Sequence, residues 1–328
     1  DNQYGHVTID AGDGDDTINN YDPRVSINAG AGNDSINVWD WNEVTVRGGT
    51  GDDTIYNSGA NSSICSDDGN DTVNSYGERA TIFSGEGDDT VYNHSATGPA
   101  YIDVDEGDNT VRNNSYQSTI IAGAGNDRIY NNSTLTGSYI GGTTIKAGDG
   151  ENYVENHAFK STIESGDGND TIYNYSATGP ASIDAGNGNN YIDNHSSQST
   201  ITTGEGADTI YNRSGSGRAS IDSGDGNDFI ENNASNVTVM SGSGDDTIRN
   251  MSATGAISID AGDGNDSVYV ENGDHLTFYG GKGDDVLTLN STNYNNTVIF
   301  NAGDGNDTIY GWRALNGSDY KIFGAGYD

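Results

Sequence analysis

The chain has 328 residues, with 50 Asp and Glu against 13 Lys and Arg, a net charge of −37, 48 glycines and one cysteine. That charge excludes an electrostatic nucleic-acid binder, which needs Lys and Arg to displace counterions from phosphate, and it repels an anionic membrane surface, so cations and neutral partners remain. Leu, Ile, Val and Phe make up about 16% of the chain, below the roughly 20% that acidic chains need to escape disorder, which excludes an ordinary thick globular core.

No stretch approaches the roughly 18 apolar residues of a membrane span, and Asp1-Asn2-Gln3 does not begin a basic-then-apolar signal segment. The lone Cys65 forms no intrachain disulfide, so stability must come from elsewhere.

One motif runs from end to end. Its first copy is Ala11-Gly12-Asp13-Gly14-Asp15-Asp16-Thr17-Ile18-Asn19, of the form small-Gly-x-Gly-Asn/Asp-Asp-Thr-Ile/Val-Tyr/Asn. Motif starts follow at residues 30, 49, 67, 85, 105, 123, 148, 166, 186, 204, 224, 242, 262, 281 and 303, mostly 18 to 20 residues apart. So short a period encloses neither a helix pair nor a propeller blade, and each repeat is predicted to be one turn of a β-solenoid of about 16 turns.

Within a repeat the elements follow in order. An apolar residue sits three before the motif start (Ile9, Ile27, Val46, Ile64, Ile82, Ile102, Ile120) and another six after it (Ile18, Ile36, Ile55, Val73, Val91, Val111, Ile129). Each is flanked by Thr, Ser or Tyr, the alternation of a short strand with one buried face. The Gly-x-Gly-x-Asp segment joins the two strands at one edge, where glycine permits positive φ and close backbone approach, and a polar loop closes the other.

Eight residues after the start, Asn recurs at 20, 57, 93, 113, 131, 156, 174, 194, 212, 232 and 250, a candidate amide ladder. At about 4.8 Å per turn the predicted rod is about 77 Å long.

The longer loops echo one another: Asn93-His94-Ser95-Ala96-Thr97-Gly98-Pro99, then Asn174-Tyr175-Ser176-Ala177-Thr178-Gly179-Pro180, then Asn250-Met251-Ser252-Ala253-Thr254-Gly255. One step of 25 residues holds Leu135 to Thr144. A seventeenth motif begins at Gly324, so residues 1–328 are expected to be a single solenoid cut from a longer protein.

The motif's chemistry lies in its fourth place after the start. Asp stands there in 13 turns: Asp16, Asp34, Asp53, Asp71, Asp89, Asp127, Asp170, Asp208, Asp228, Asp246, Asp266, Asp285 and Asp307. Stacked turns bring these carboxylates to about 4.8 Å spacing, where like charges repel unless a cation neutralises them. Ca²⁺ suits this row, since bonds of about 2.4 Å let one ion bridge oxygens from two turns, whereas Mg²⁺ demands shorter bonds and octahedral geometry. Without Cys or His in the row, zinc is not expected. One divalent ion per gap adds roughly +30, nearly cancelling the net charge. Asn109, Asn152 and Asn190 replace the Asp, so calcium is expected to be weaker there.

These residues resemble the RTX family, the Gly-Gly-x-Gly-x-Asp-x-U-x calcium-binding β-roll repeat of secreted bacterial proteins. The resemblance covers nearly the whole chain, and implies calcium-dependent folding outside the cell after export as an unfolded chain. Two departures stand out. The first family Gly is usually Ala or Ser here (Ala11, Ala29, Ser84, Ala122, Ser165), and the motif recurs every two nonapeptide lengths, so calcium should line one edge only.

That one-sided pattern looks like the ice-binding region of large RTX adhesins, whose turns read x-Gly-Thr-Gly-Asn-Asp. Gly32-Asn33-Asp34 and Gly168-Asn169-Asp170 keep the Gly-Asn-Asp, but only Thr50 keeps the Thr, and acids such as Asp13, Glu86, Asp167, Glu205 and Asp263 replace it, which argues against an ice-matched Thr array.

Tyr56, Tyr92, Tyr130, Tyr173, Tyr211, Tyr269 and Tyr310 stand seven places after the start and are predicted to point outward. Rings about 9.6 Å apart could stack on sugars, or simply cover a β surface that suits tyrosine. His94, His157 and His195 share one column but lie two to three turns apart, too far to share a metal or proton. No singular His, Ser or Cys joins the repeat-generated carboxylate pairs, so no enzyme activity is expected. Cys65 is expected to be inert. Trp39, Trp41 and Trp312 are candidates to cover solenoid ends or irregular turns.

The sequence therefore reads as a calcium-loaded structural and interaction segment of an extracellular adhesin, biofilm-matrix fibre or surface layer. The alternatives are a glycan- or ice-binding solenoid, and the folding module of a secreted toxin or hydrolase. Open strand edges make end-to-end self-association a further expectation.

Overall fold

A computed structural model of the chain describes residues 7–39, 43–133, 142–176, 179–215, 217–252, 254–271, 275–290, 296–301, 304–311 and, for the backbone, 320–323. The chain divides into two compact units, Asp1–Gly166 and Asp167–Asp328. Both are parallel β-solenoids, with about 15 turns between them and no helix among the described residues.

In the first unit β1 (Val7–Asp13) leads through the glycine turn into β2 (Thr17–Asn20), and β3 (Val25–Ala31) and β4 (Ser35–Val38) repeat the pattern one turn on. β1 pairs with β3 and β2 with β4, both parallel. Later turns within each unit do the same, giving each unit one sheet before the glycine turns and one after them.

The register follows the apolar columns. Ile9, Ile27, Val46, Ile64, Ile82, Ile102, Ile120, Ile145 and Ile163 are consecutive partners in the first unit. In the second, Ile172, Ile192, Ile210, Ile230, Ile248, Val268 and Leu287 are. A slip of one residue would turn these side chains out and the Thr column in, so burial fixes the pairing. From Ile27 to Val298 and from Ile36 to Leu287 the two columns are almost wholly buried, forming a thin core one side chain deep on each sheet. The 25-residue step leaves register intact, since Ile120 still pairs with Ile145 and Ile129 with Val154. Most of its loop, like the seventeenth motif, Trp41 and Trp312, lies outside the described residues.

The amide ladder forms where Asn is continuous. In the first unit Asn93 Nδ2 donates to Asn113 Oδ1 at 2.7 Å, Asn113 to Asn131 at 2.9 Å and Asn131 to Asn156 at 2.7 Å. In the second, Asn174, Asn194, Asn212, Asn232 and Asn250 are linked at 2.7 to 2.9 Å. Asn20 and Asn57, expected in the same ladder, do not join it. Their neighbours in the column are Val38 and Ser75, and each Asn closes its own loop instead, Asn20 on Asp22 and Asn57 on Gly59.

Candidate metal centre

The glycine turns place the Asp row. Along the first turns the motif itself is paired, Gly12 with Gly30 and Gly30 with Gly49, and both residues 12 and 30 have positive φ. The chain then turns inward, so the Asp four places on enters the space between turns. Asp34, Asp53, Asp71, Asp89, Asp127, Asp170, Asp208, Asp228, Asp246, Asp266 and Asp285 are each at most 2% exposed. Asp16 and Asp307, toward the ends of the described chain, are half-buried.

One oxygen of most of these carboxylates has a backbone task. The Asp16 N–H donates to Asp34 Oδ1 at 2.7 Å, and Asp34, Asp53 and Asp71 donate likewise to Asp53, Asp71 and Asp89 at 2.7 to 2.8 Å. The second unit repeats this from Asp208 to Asp228, Asp246, Asp266, Asp285 and Asp307. The other oxygen has none. Oδ2 of Asp16, Asp34, Asp53, Asp71, Asp89, Asp127, Asp208, Asp228, Asp246, Asp266 and Asp285 is buried and accepts no hydrogen bond.

A buried carboxylate oxygen without a partner is costly, and the carboxyls respond by holding their protons. Burial, reinforced by neighbouring carboxylates of the row, raises Asp71, Asp228 and Asp266 to about 7 and Asp53 and Asp285 to about 6. Asp127 also rises to about 7, and Asp89 and Asp246 to about 6, through burial first. The hydroxyls of Ser66, Ser84, Ser223 and Ser241 lie beside four of these groups without relieving them. Each of those hydroxyls gives its proton to a carbonyl of the next turn.

No group of three His, Cys, Asp or Glu side chains gathers for a metal among the described residues. The oxygens on offer to a cation in this row are the orphaned Oδ2 atoms and nearby carbonyls such as that of Ser66 beside Asp53. That is hard-oxygen chemistry, suited to Ca²⁺ and unsuited to zinc.

The family model of the RTX calcium-binding nonapeptide repeat matches residues 4–20, 45–73, 66–95, 102–133, 159–174, 222–249, 258–274, 277–294 and 299–314, more than half of the chain. The chain belongs to this RTX repeat family. No curated protein matches it. The orphaned Oδ2 atoms are an independent fit between this RTX chain and calcium, since they are the acceptors an added cation would satisfy.

A second ladder, not anticipated, flanks the Asp row of the RTX turns. The residue three after the start donates its N–H back to the side chain of the preceding turn: Asn33 to Asp15, Asp52 to Asn33, Asn70 to Asp52 and Asp88 to Asn70, all at 2.8 to 2.9 Å. Its sequence signal is the unbroken Asn or Asp before the key Asp in these turns.

The aromatic column does point outward, and further rings stand in the turns between its members. Tyr76, two places further along, and Tyr191 and Phe229, two places earlier, fill three of the gaps. Ring centroids then lie 5.0 Å apart for Tyr56 and Tyr76, 5.6 Å for Tyr173 and Tyr191 and 5.8 Å for Tyr191 and Tyr211. Trp39 lies against Tyr56 in the same strip, its ring tilted by 37° at a centroid distance of 4.6 Å.

The three histidines do not meet: His94 stacks on Tyr76 at 4.3 Å, His157 pairs with Glu155 and His195 with Asp193. Cys65 donates to Asp67 at 3.0 Å, and burial pushes its thiol up to about 11, so little reactive thiolate forms.

Proposed function

We propose that this chain is a calcium-folded structural and interaction segment of an extracellular bacterial protein, an adhesin, matrix fibre or surface layer, with no catalytic activity of its own. The carrying observation is the row of buried carboxylates whose Oδ2 atoms lack a partner. Such a row suits a chain that stays unfolded where calcium is scarce and closes where calcium is plentiful, because the binding free energy then becomes folding free energy. Far-UV circular dichroism of the EDTA-treated chain tests this. A coil-to-β transition as free Ca²⁺ rises through roughly 10⁻⁴ to 10⁻³ M, the range of extracellular modules, is expected. A fold already complete in EDTA and indifferent to calcium would overturn it.

The aromatic strip favours a second reading, recognition of a neutral glycan. Tyr173, Tyr191, Tyr211 and Phe229 form an outward series with neighbouring centroids 5.6 to 5.8 Å apart. Such faces suit sugar rings, and the acidic surface disfavours anionic polymers. Glycan-array binding lost in Y191A/Y211A, with calcium-dependent folding kept, would support it. End-to-end self-association belongs to the same proposal and is read by sedimentation with and without calcium.

A further inference from the structure

Three turns carry Asn where the others carry Asp, and one atom changes role. Asn109 Nδ2 donates to the carbonyls of Asp105 at 3.3 Å, Gly107 at 3.1 Å and, one turn on, Ala122 at 3.4 Å. Asn152 Nδ2 does the same to Gly148 at 2.8 Å, Gly150 at 3.3 Å and Ser165 at 3.1 Å. Asn190 Nδ2 reaches Gly186 and Gly188, both at 3.1 Å. The acceptors recur by position: the first residue of the motif, its second glycine, and the residue just before the next motif.

Oδ1 is unchanged by the substitution. It accepts the Asp89 N–H at Asn109 and the Asp127 N–H at Asn152, both at 2.9 Å, as an Asp Oδ1 would.

In an Asp turn the atom matching Nδ2 is Oδ2, an acceptor set among acceptors. Gly48 shows this directly, because a Cβ built there would overlap both Asp53 Oδ2 and the Ser66 carbonyl oxygen. The carboxylate oxygen and the next turn's carbonyl thus border one small gap. That gap holds no proton donor when the carboxyl is ionised, whereas an amide supplies two.

We infer that the Asn109, Asn152 and Asn190 amides stand in for the cation, so that these three turns close without one and calcium is confined to the Asp turns. The inference deepens the calcium reading and rests on it for the Asp turns alone. Its consequence is an uneven chain. In the first unit Asp16 to Asp89 form an uninterrupted run of five calcium turns, followed by Asn109, Asp127 and Asn152. In the second, Asn190 precedes a run of six, from Asp208 to Asp307. Withdrawing calcium should open the runs before the Asn turns.

The test uses the full chain and two reciprocal variants, N109D and D127N, with bound Ca²⁺ counted by elemental analysis after dialysis and thermal melting followed in EDTA. N109D should bind one ion more than the parent and melt lower in EDTA. D127N should bind one ion fewer and melt higher in EDTA. Unchanged ion counts in a calcium-binding parent, an unchanged EDTA melt for N109D, or a D127N chain that fails to fold even in calcium would each overturn the inference. A parent that binds no calcium overturns the proposed function instead, and the EDTA comparison still decides whether the amide relieves the strain of an unpartnered carboxylate.

Discussion

Gly30 shows what the motif asks of a single residue. Its φ is +118°, and a Cβ there would overlap the Gly12 carbonyl oxygen one turn away. Backbone geometry and stacking both forbid a side chain, so Gly30→Ala should cost roughly 2–4 kcal/mol of local stability, the range of a strained backbone combined with a backbone clash. Hydrogen exchange of the flanking amides in calcium would read this, and unchanged protection would contradict it. The motif's first position is not always so strict. Asp67 and Asp105 occupy it with φ of 70° and 56°. Those values lie in the left-handed well that Asp tolerates better than most residues. Arg47 also holds the Asp67 carboxylate at 2.5 Å.

At the scale of strands and ladders, the Asn column can be tested at its interior and at its end. Asn131 links Asn113 to Asn156, so Asn131→Val removes two buried amide bonds while keeping shape, and should cost about 1–3 kcal/mol. Asn250 ends the column beside Val270, and its Nδ2 is buried without a partner. Asn250→Val should therefore stay within about 1 kcal/mol of the parent, because the lost bond to Asn232 is offset by removal of that orphan. Comparable losses for the two variants in denaturant melts would mean the ladder contributes nothing beyond packing.

The same column shows why the fold was legible in the residues and parts of the site were not. Strands, register and the Asp row follow from spacing within one repeat, and stacked copies reinforce them. Whether Asn57 bonds onward, or how closely Tyr191 approaches Tyr211, depends on what stands one turn away. The direction of the Oδ1 bonds depends on a backbone turn that no side-chain pattern records.

For the molecule as a whole, the excess of acid makes proton and calcium rivals for the same oxygens. One divalent ion for each of the thirteen row aspartates would cancel about 26 of the 37 net negative charges. Without calcium, burial holds Asp53, Asp89, Asp246 and Asp285 at about 6 and Asp71, Asp127, Asp228 and Asp266 at about 7, against an ordinary value of 3.8. Between about pH 4 and 7 the folded chain then binds more protons than the unfolded one, so stability falls as pH rises through that window. Melting in EDTA should occur at a higher temperature at pH 5 than at pH 8. Added NaCl should narrow the gap by screening repulsion among the exposed acids, though not the desolvation of the buried row.

Calcium reverses the slope. The ion needs the carboxylates ionised, so binding near pH 6 must expel protons, and the stabilisation that calcium confers should grow from pH 5 to pH 8. Calorimetric titration at pH 6 in two buffers of different ionisation enthalpy would measure the protons released. A heat of binding that is the same in both buffers, or EDTA melts that rise with pH, would show that the row is already ionised in the folded chain. The turns would then be bearing bare charge without a counter-ion, which a core this thin gives them little means to sustain.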